Sequence, residues 1–136
     1  MKLFYILCHM VWGLFSLRKL SAGADQRTLG RKIQLWHQKT IKLLEIGSTL
    51  SGDIPIGPCL IVSNHLSWVD ILLIGSFEDV RFVAKAEVAK WPVVGKLASG
   101  AGTLFVRRGD RYSAKRAVAD VASELTHGHR VVIFPE

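Results

Sequence analysis

Asn64-His65-Leu66-Ser67-Trp68-Val69-Asp70 sets a histidine five residues ahead of an aspartate, after a short apolar run and before a helical pattern. Histidine near its ordinary pKa can take a proton from a hydroxyl, and a carboxylate beside it fixes the tautomer and stabilises the imidazolium. On one continuous helix, five residues turn two side chains about 140° apart. The pair can therefore meet only if His65 precedes the helix and the chain turns between them. The segment also has a plainer use. Ser67 and Asp70 stand at capping-box spacing, with Asp in place of Glu or Gln, and such an acid satisfies backbone donors at a helix start. Spacing alone does not choose between the two roles.

A second cluster, Gly102-Thr103-Leu104-Phe105-Val106-Arg107-Arg108-Gly109, reads as a strand that ends in two arginines. Side chains alternate along a strand, so one arginine can face a pocket while the other faces water. A guanidinium aimed at a site suits a phosphate, because its fork donates two parallel hydrogen bonds. An ordinary polar strand end has the same appearance. Lys85, closing another apolar run, is a further candidate cation. The third cluster is Val131-Val132-Ile133-Phe134-Pro135-Glu136, a buried strand reaching the same sheet edge.

The elements that must position these residues follow from the pattern of apolar runs. Short runs at 59–63, 81–84, 103–106 and 131–135 read as strands, with helices at 68–76, 87–98 and 111–126 between them. Strands alternating with helices predict an α/β fold, with a largely parallel sheet and flanking helices. Ligands of such sheets bind beyond the carboxyl ends of the strands, where all three clusters fall. His127 and His129 flank Gly128 before the last strand, and a helix-end turn accounts for them better than a metal pair. No metal site is expected.

The first 52 residues differ in character. Residues 3–17 carry no charge and would rise roughly 22 Å as a helix, less than the ~30 Å hydrocarbon core of a bilayer. A signal peptide is one reading, since Ala22-Gly23-Ala24 resembles a cleavage site; a full span across a thinned bilayer is another. Arg18 and Lys19, directly after the apolar run, oppose translocation and favour a half-inserted anchor facing the cytoplasm. Residues 26–47 predict a second helix, with Leu29, Ile33, Trp36, Thr40, Leu43, Leu44 and Gly47 on one face and basic residues largely elsewhere. Residues 1–52 are thus expected to be two membrane-associating helices on anionic lipid. The turn-rich stretch that begins near Gly52 leads into an α/β domain over 53–136.

Together the clusters resemble the glycerolipid acyltransferase family, of the 1-acyl-sn-glycerol-3-phosphate acyltransferase type. Its N-H-x-x-x-x-D motif is matched by Asn64, His65 and Asp70, and its G-x-x-F-x-x-R motif by Gly102, Phe105 and Arg108. Of F-P-E-G-T-x-S, only Phe134, Pro135 and Glu136 are present. The stretches 82–88 and 91–95 also resemble the family. The resemblance implies that His65 is the general base on a lysophospholipid hydroxyl and that Asp70 orients it. Arg108, with Lys85, would hold the acceptor phosphate, while Asn64, Gly102, Phe105 and Glu136 would shape the substrate site. It further implies 1-acyl-sn-glycerol-3-phosphate as acceptor and an acyl-CoA or acyl-carrier protein thioester as donor. No metal or organic cofactor is implied, and the place of action would be the cytoplasmic face of the inner (plasma) membrane. A lyso-aminolipid acceptor and a non-catalytic peripheral membrane relative are the alternatives. A sequence that stops at a central strand reads as incomplete, so these 136 residues alone are expected to have little or no activity.

Composition agrees with these expectations. Apolar types make up 49% of 136 residues, enough for a core and too many for a disordered chain. Two cysteines, Cys8 and Cys59, form no disulfide framework and point to a reducing compartment. The net charge of +7 is concentrated in residues 1–53, which hold eight Lys/Arg against three Asp/Glu. Basic residues placed beside the most apolar segment, and not interleaved with aromatics on the folded body, argue against nucleic acid as partner.

Overall fold

Three β-branched residues in succession, Val131-Val132-Ile133, suit a strand covered on both faces, and Val131 and Val132 have no exposed surface. A computed structural model describes residues 2–20, 25–107, 109 and 111–135. In it this strand, β4 (Arg130–Ile133), lies between β1 (Leu60–Val62) and β2 (Val80–Lys85), with β3 (Leu104–Val106) beyond β2. Every pairing is parallel, with Leu60 opposite Val131, Val80 opposite Arg130 and Val83 opposite Leu104. The chain is thus α/β with a parallel sheet, and all four strands deliver their carboxyl ends to one edge.

The helices are α1 (Lys2–Leu20), α2 (Gln26–Leu43), α3 (Val69–Phe77), α4 (Val94–Gly100) and α5 (Arg111–Thr126), with a 3-10 turn over Ala86–Lys90. The chain divides into two compact units. One comprises residues 1–52 and 66–79, the other residues 53–65 and 80–136. The sheet, α4 and α5 belong to the second unit; α1, α2 and α3 belong to the first.

In the first unit α2 starts at Asp25, whose Oδ1 accepts the Thr28 N–H at 2.8 Å, a bond that also holds its carboxyl below the usual range. The helix ends four residues before the expected Gly47. Ile46 N–H donates to the Ile41 carbonyl and Glu45 N–H to that of Lys42, with Glu45 at φ 57 where glycine is usual. Its buried residues are Gly30, Ile33, His37, Thr40 and Ile41, so the face is rotated away from Leu29, Leu43 and Leu44. The cause is close approach. A Cβ on Gly75 of α3 would collide with the His37 imidazole, and one on Gly30 with the Asp79 carboxylate.

The joint between α1 and α2 is polar. His9 Nε2 lies 3.0 Å from Thr40 Oγ1 and 3.3 Å from the Trp36 carbonyl, while Trp36 Nε1 donates to the His9 carbonyl at 3.3 Å. The His9 ring stacks between Trp12 and Trp36. Outward, α1 shows Phe4, Leu7, Val11, Trp12 and Phe15, with Phe4 66% and Phe15 68% exposed. This helix is inverted relative to one in water, with its histidine inside and its large apolar side chains outside. No helix among the described residues is long and apolar enough to cross a membrane.

In the second unit the single helix expected over 87–98 is broken. Trp91 precedes Pro92 and is extended (φ −70, ψ 131), as proline requires of the residue before it. Val93 follows at φ 63, ψ −63, and Val94 N–H donates back to the Pro92 carbonyl at 2.7 Å, a γ-turn of the strained, positive-φ kind. Only then does α4 begin. At the far end of α5, Gly128 (φ 89) makes the expected helix-end turn, with His129 N–H bonded to the Glu124 carbonyl.

Candidate active site

β1 and β4 end together, because Ser63 N–H donates to the Ile133 carbonyl at 3.2 Å just past the last pair of the ladder. The next residues leave the sheet at its carboxyl edge, Asn64 and His65 from β1 and Phe134 from β4. The His65 ring lies on Phe134, with centroids 4.3 Å apart and planes at 26°. Phe134 in turn stacks at 6.3 Å on Phe82, which is buried in β2. A core-anchored aromatic ledge therefore supports the imidazole, and its residue remains exposed for a reactant to approach.

Asp70 stands in the first turn of α3. Its Oδ2 accepts the N–H groups of Leu66 at 2.7 Å and Ser67 at 2.8 Å, and Ser67 Oγ accepts the Val69 N–H at 3.2 Å. The capping role weighed in the sequence is thus present. The carboxylate fixes the backbone directly after His65, so structural and chemical roles can be filled by the same group.

Lys85 closes β2 at the carboxyl edge and is exposed; its neighbour across the ladder is Val106, after which comes exposed Arg107. Phe105 is half-buried in β3, opposite Ala84. Asn64 is exposed. Arg108 and Glu136 lie outside the described residues, as do Ala22-Gly23-Ala24 of the signal-peptide reading. Gly102 has a local reason to be glycine. Its φ is 74, and a Cβ there would collide with the Arg81 guanidinium.

Arg81, at the start of β2 and so away from the carboxyl edge, was not legible as the residue that holds the turn into β3. It is buried, donates from Nη1 to the Ala101 carbonyl at 2.7 Å and lies 3.9 Å from Glu124. It thereby ties β2 to the turn that enters β3 and to α5. The only hint was an arginine at the start of an apolar run. His37, Gln34 and Gln38 of α2 were likewise passed over. Among the described residues no group of three or more His, Cys, Asp or Glu could hold a metal ion.

Comparison with known proteins matches residues 46–136 to the family model described as Acyltransferase. The chain belongs to the glycerolipid acyltransferase family. Similar curated proteins include the lyso-ornithine lipid O-acyltransferase of Pseudomonas aeruginosa, 40% identical over 89% of this chain and 47% of that protein. The Rhizobium meliloti protein of the same name is 38% identical over 74% of this chain and 35% of its own length. The 1-acyl-sn-glycerol-3-phosphate acyltransferase of Neisseria gonorrhoeae is 31% identical over 96% of this chain and 53% of that protein. This acyltransferase-family chain thus spans about half the length, or less, of these relatives. No solved structure matches it at a significant level.

Proposed function

We propose that the protein transfers a fatty acyl group from an acyl-CoA or acyl-carrier protein thioester to the free hydroxyl of a lysolipid. The observation that carries this reading is the coincidence of family membership with an exposed histidine, His65, held on an aromatic ledge at the carboxyl edge of the sheet. An imidazole nitrogen of His65 takes the hydroxyl proton as the oxygen attacks the thioester carbonyl. The C–S bond then breaks, and the departing thiolate recovers the proton. Asp70 orients His65 and stabilises its charged form. No metal or organic cofactor takes part, so activity should survive a chelator. The acceptor's polar head is held by Arg108 and Lys85, with Asn64, Gly102, Phe105 and Glu136 shaping the site.

Two acceptors are to be separated. The identities to lyso-ornithine lipid O-acyltransferases favour a lyso-ornithine lipid as the first to assay. The arginine-bearing motif that ends at Arg108 favours 1-acyl-sn-glycerol-3-phosphate, since a guanidinium fork matches a phosphate. The test is acyl transfer by the full chain to each acceptor, with parent, His65→Ala and Arg108→Ala. Loss of transfer in His65→Ala is expected with both. A rise in KM for the phosphate acceptor alone in Arg108→Ala identifies it as the substrate. Transfer undiminished in His65→Ala refutes the mechanism and brings forward the non-catalytic reading.

The reaction is placed at the cytoplasmic face of the inner membrane. Support comes from the uncharged stripe of Phe4, Leu7, Val11, Trp12 and Phe15 on α1, which fits insertion to the depth of one helix face in an anionic bilayer. Co-sedimentation with anionic vesicles, abolished by Leu7→Asp with Phe15→Asp, is the expected result.

A further inference from the structure

α3 carries Asp70 in its first turn and has almost no polar residue with which to choose its own orientation. Val69, Ile71, Leu72, Leu73, Ile74 and Phe77 surround it, so apolar burial alone would accept several rotations about its axis. Its carboxyl end, however, is held by specific polar bonds. Gln34 Nε2 donates to the Phe77 carbonyl at 2.8 Å and to that of Ser76 at 3.4 Å, and Gln38 Nε2 donates to Ser76 at 2.8 Å. These carbonyls are among the last of the helix and have no partner further along it. Carbonyl oxygens only accept, so each glutamine amide must present its nitrogen. Immediately before these residues, the His37 ring fills the notch over Gly75, which allows a single depth and rotation.

We propose that Gln34 and Gln38 of α2 are positioning residues for Asp70. By gripping the carboxyl end of a rigid rod about 13 Å long, they set the direction of the carboxylate at its other end. The helix adjoining the membrane anchor therefore has a second task, in the chemistry, independent of lipid contact. This inference rests on the role given to Asp70 above.

The test is steady-state kinetics of the full chain carrying Gln34→Met and Gln38→Met, singly and together, beside Asp70→Asn. Methionine keeps length and helix preference but donates no hydrogen bond. In the double variant kcat should fall about tenfold, a fraction of the 10²–10⁴ that positioned acid–base groups supply, with KM for both substrates unchanged. Added to Asp70→Asn, the two methionines should lower kcat no further, because they act through that carboxylate. Thr40→Val removes the bond to His9 in the α1–α2 joint; it should lower the melting temperature and leave kcat in place.

A double variant with the parent's kcat overturns the inference, as does a further fall in kcat when the methionines are added to Asp70→Asn. If Asp70→Asn itself leaves kcat unchanged, the role of Asp70 falls, and the inference with it. Should the double variant fail to fold, Gln38→Met, at an exposed position, decides by the same two readouts.

Discussion

Between α1 and α2 lie an imidazole, a threonine hydroxyl and an indole N–H; at the centre of the sheet lie Val131 and Val132. The first region turns its large apolar side chains outward along Phe4, Leu7, Val11 and Phe15. The second buries apolar strands and leaves Lys85 and Arg107 exposed at its edge. A water-facing domain cannot afford the first arrangement at length, whereas a helix whose outer face meets lipid gains from it. With the outer face of α1 on lipid, as proposed, the two regions are built for different solvents. Polar groups fasten the helices to each other, and apolar packing fastens the strands.

The sharpest way to break this contrast is at the sheet edge, where chemistry and stability should separate. His65→Ala in the full chain is expected to lower kcat about 10³-fold with little change in melting temperature, because the residue is exposed. A large drop in melting temperature would instead make the histidine a structural part of the ledge.

Next in size is the acid sensitivity of the helical region. Burial pushes His37 down to about 4 from its ordinary 6.5, with a bond from its ring to the Gly75 backbone opposing the shift only partly. The unfolded chain therefore takes up this proton first as the pH falls. Stability is complete above about pH 6.5 and is lost progressively toward pH 4, by about 3 kcal/mol in all. His9 is lowered in the same sense, chiefly by burial, so it adds to the loss. Chemical denaturation at a series of pH values should show this slope, and His37→Gln should flatten it.

A smaller effect is expected in the sheet region from Gly102→Ala. A positive φ and the Arg81 guanidinium both oppose a side chain, at a cost of about 2 kcal/mol, visible as a lower denaturation midpoint at every pH. The smallest effect on folding should come from Phe15→Asp on α1, within about 0.5 kcal/mol in water, while vesicle binding weakens strongly. Substantial unfolding by Phe15→Asp would show that this stripe packs against protein and not lipid.

Much of this was legible in the sequence where one local rule dominated. Short apolar runs located the strands to within a residue or two, and Gly128 marked the end of α5. The approach of Ser67 and Asp70 to the backbone was visible as capping spacing, though not which role the acid serves. Two features were hidden because they depend on residues far apart in the chain. Nothing near Gly102 names Arg81 as the group filling the space above it. The buried face of α2 is set by Gly75 and Asp79, more than thirty residues onward, and not by its leucines. The break at Trp91-Pro92-Val93 could have been placed more firmly, since proline bars helical geometry in the residue before it.

The order of the strands has a consequence for synthesis. β4 is made after β1, β2 and β3, yet it occupies the place between β1 and β2. As the chain leaves the ribosome, β2 can pair with β3, but β1 waits through some seventy residues for the partner of Leu60, which is Val131. Two strand edges stay open during that interval, and pairing over such separations is slow. The N-terminal helices emerge before any of these strands. A nascent chain already resting at a lipid surface would set β4 between β1 and β2 there, bringing Phe134 beneath His65 in the same step.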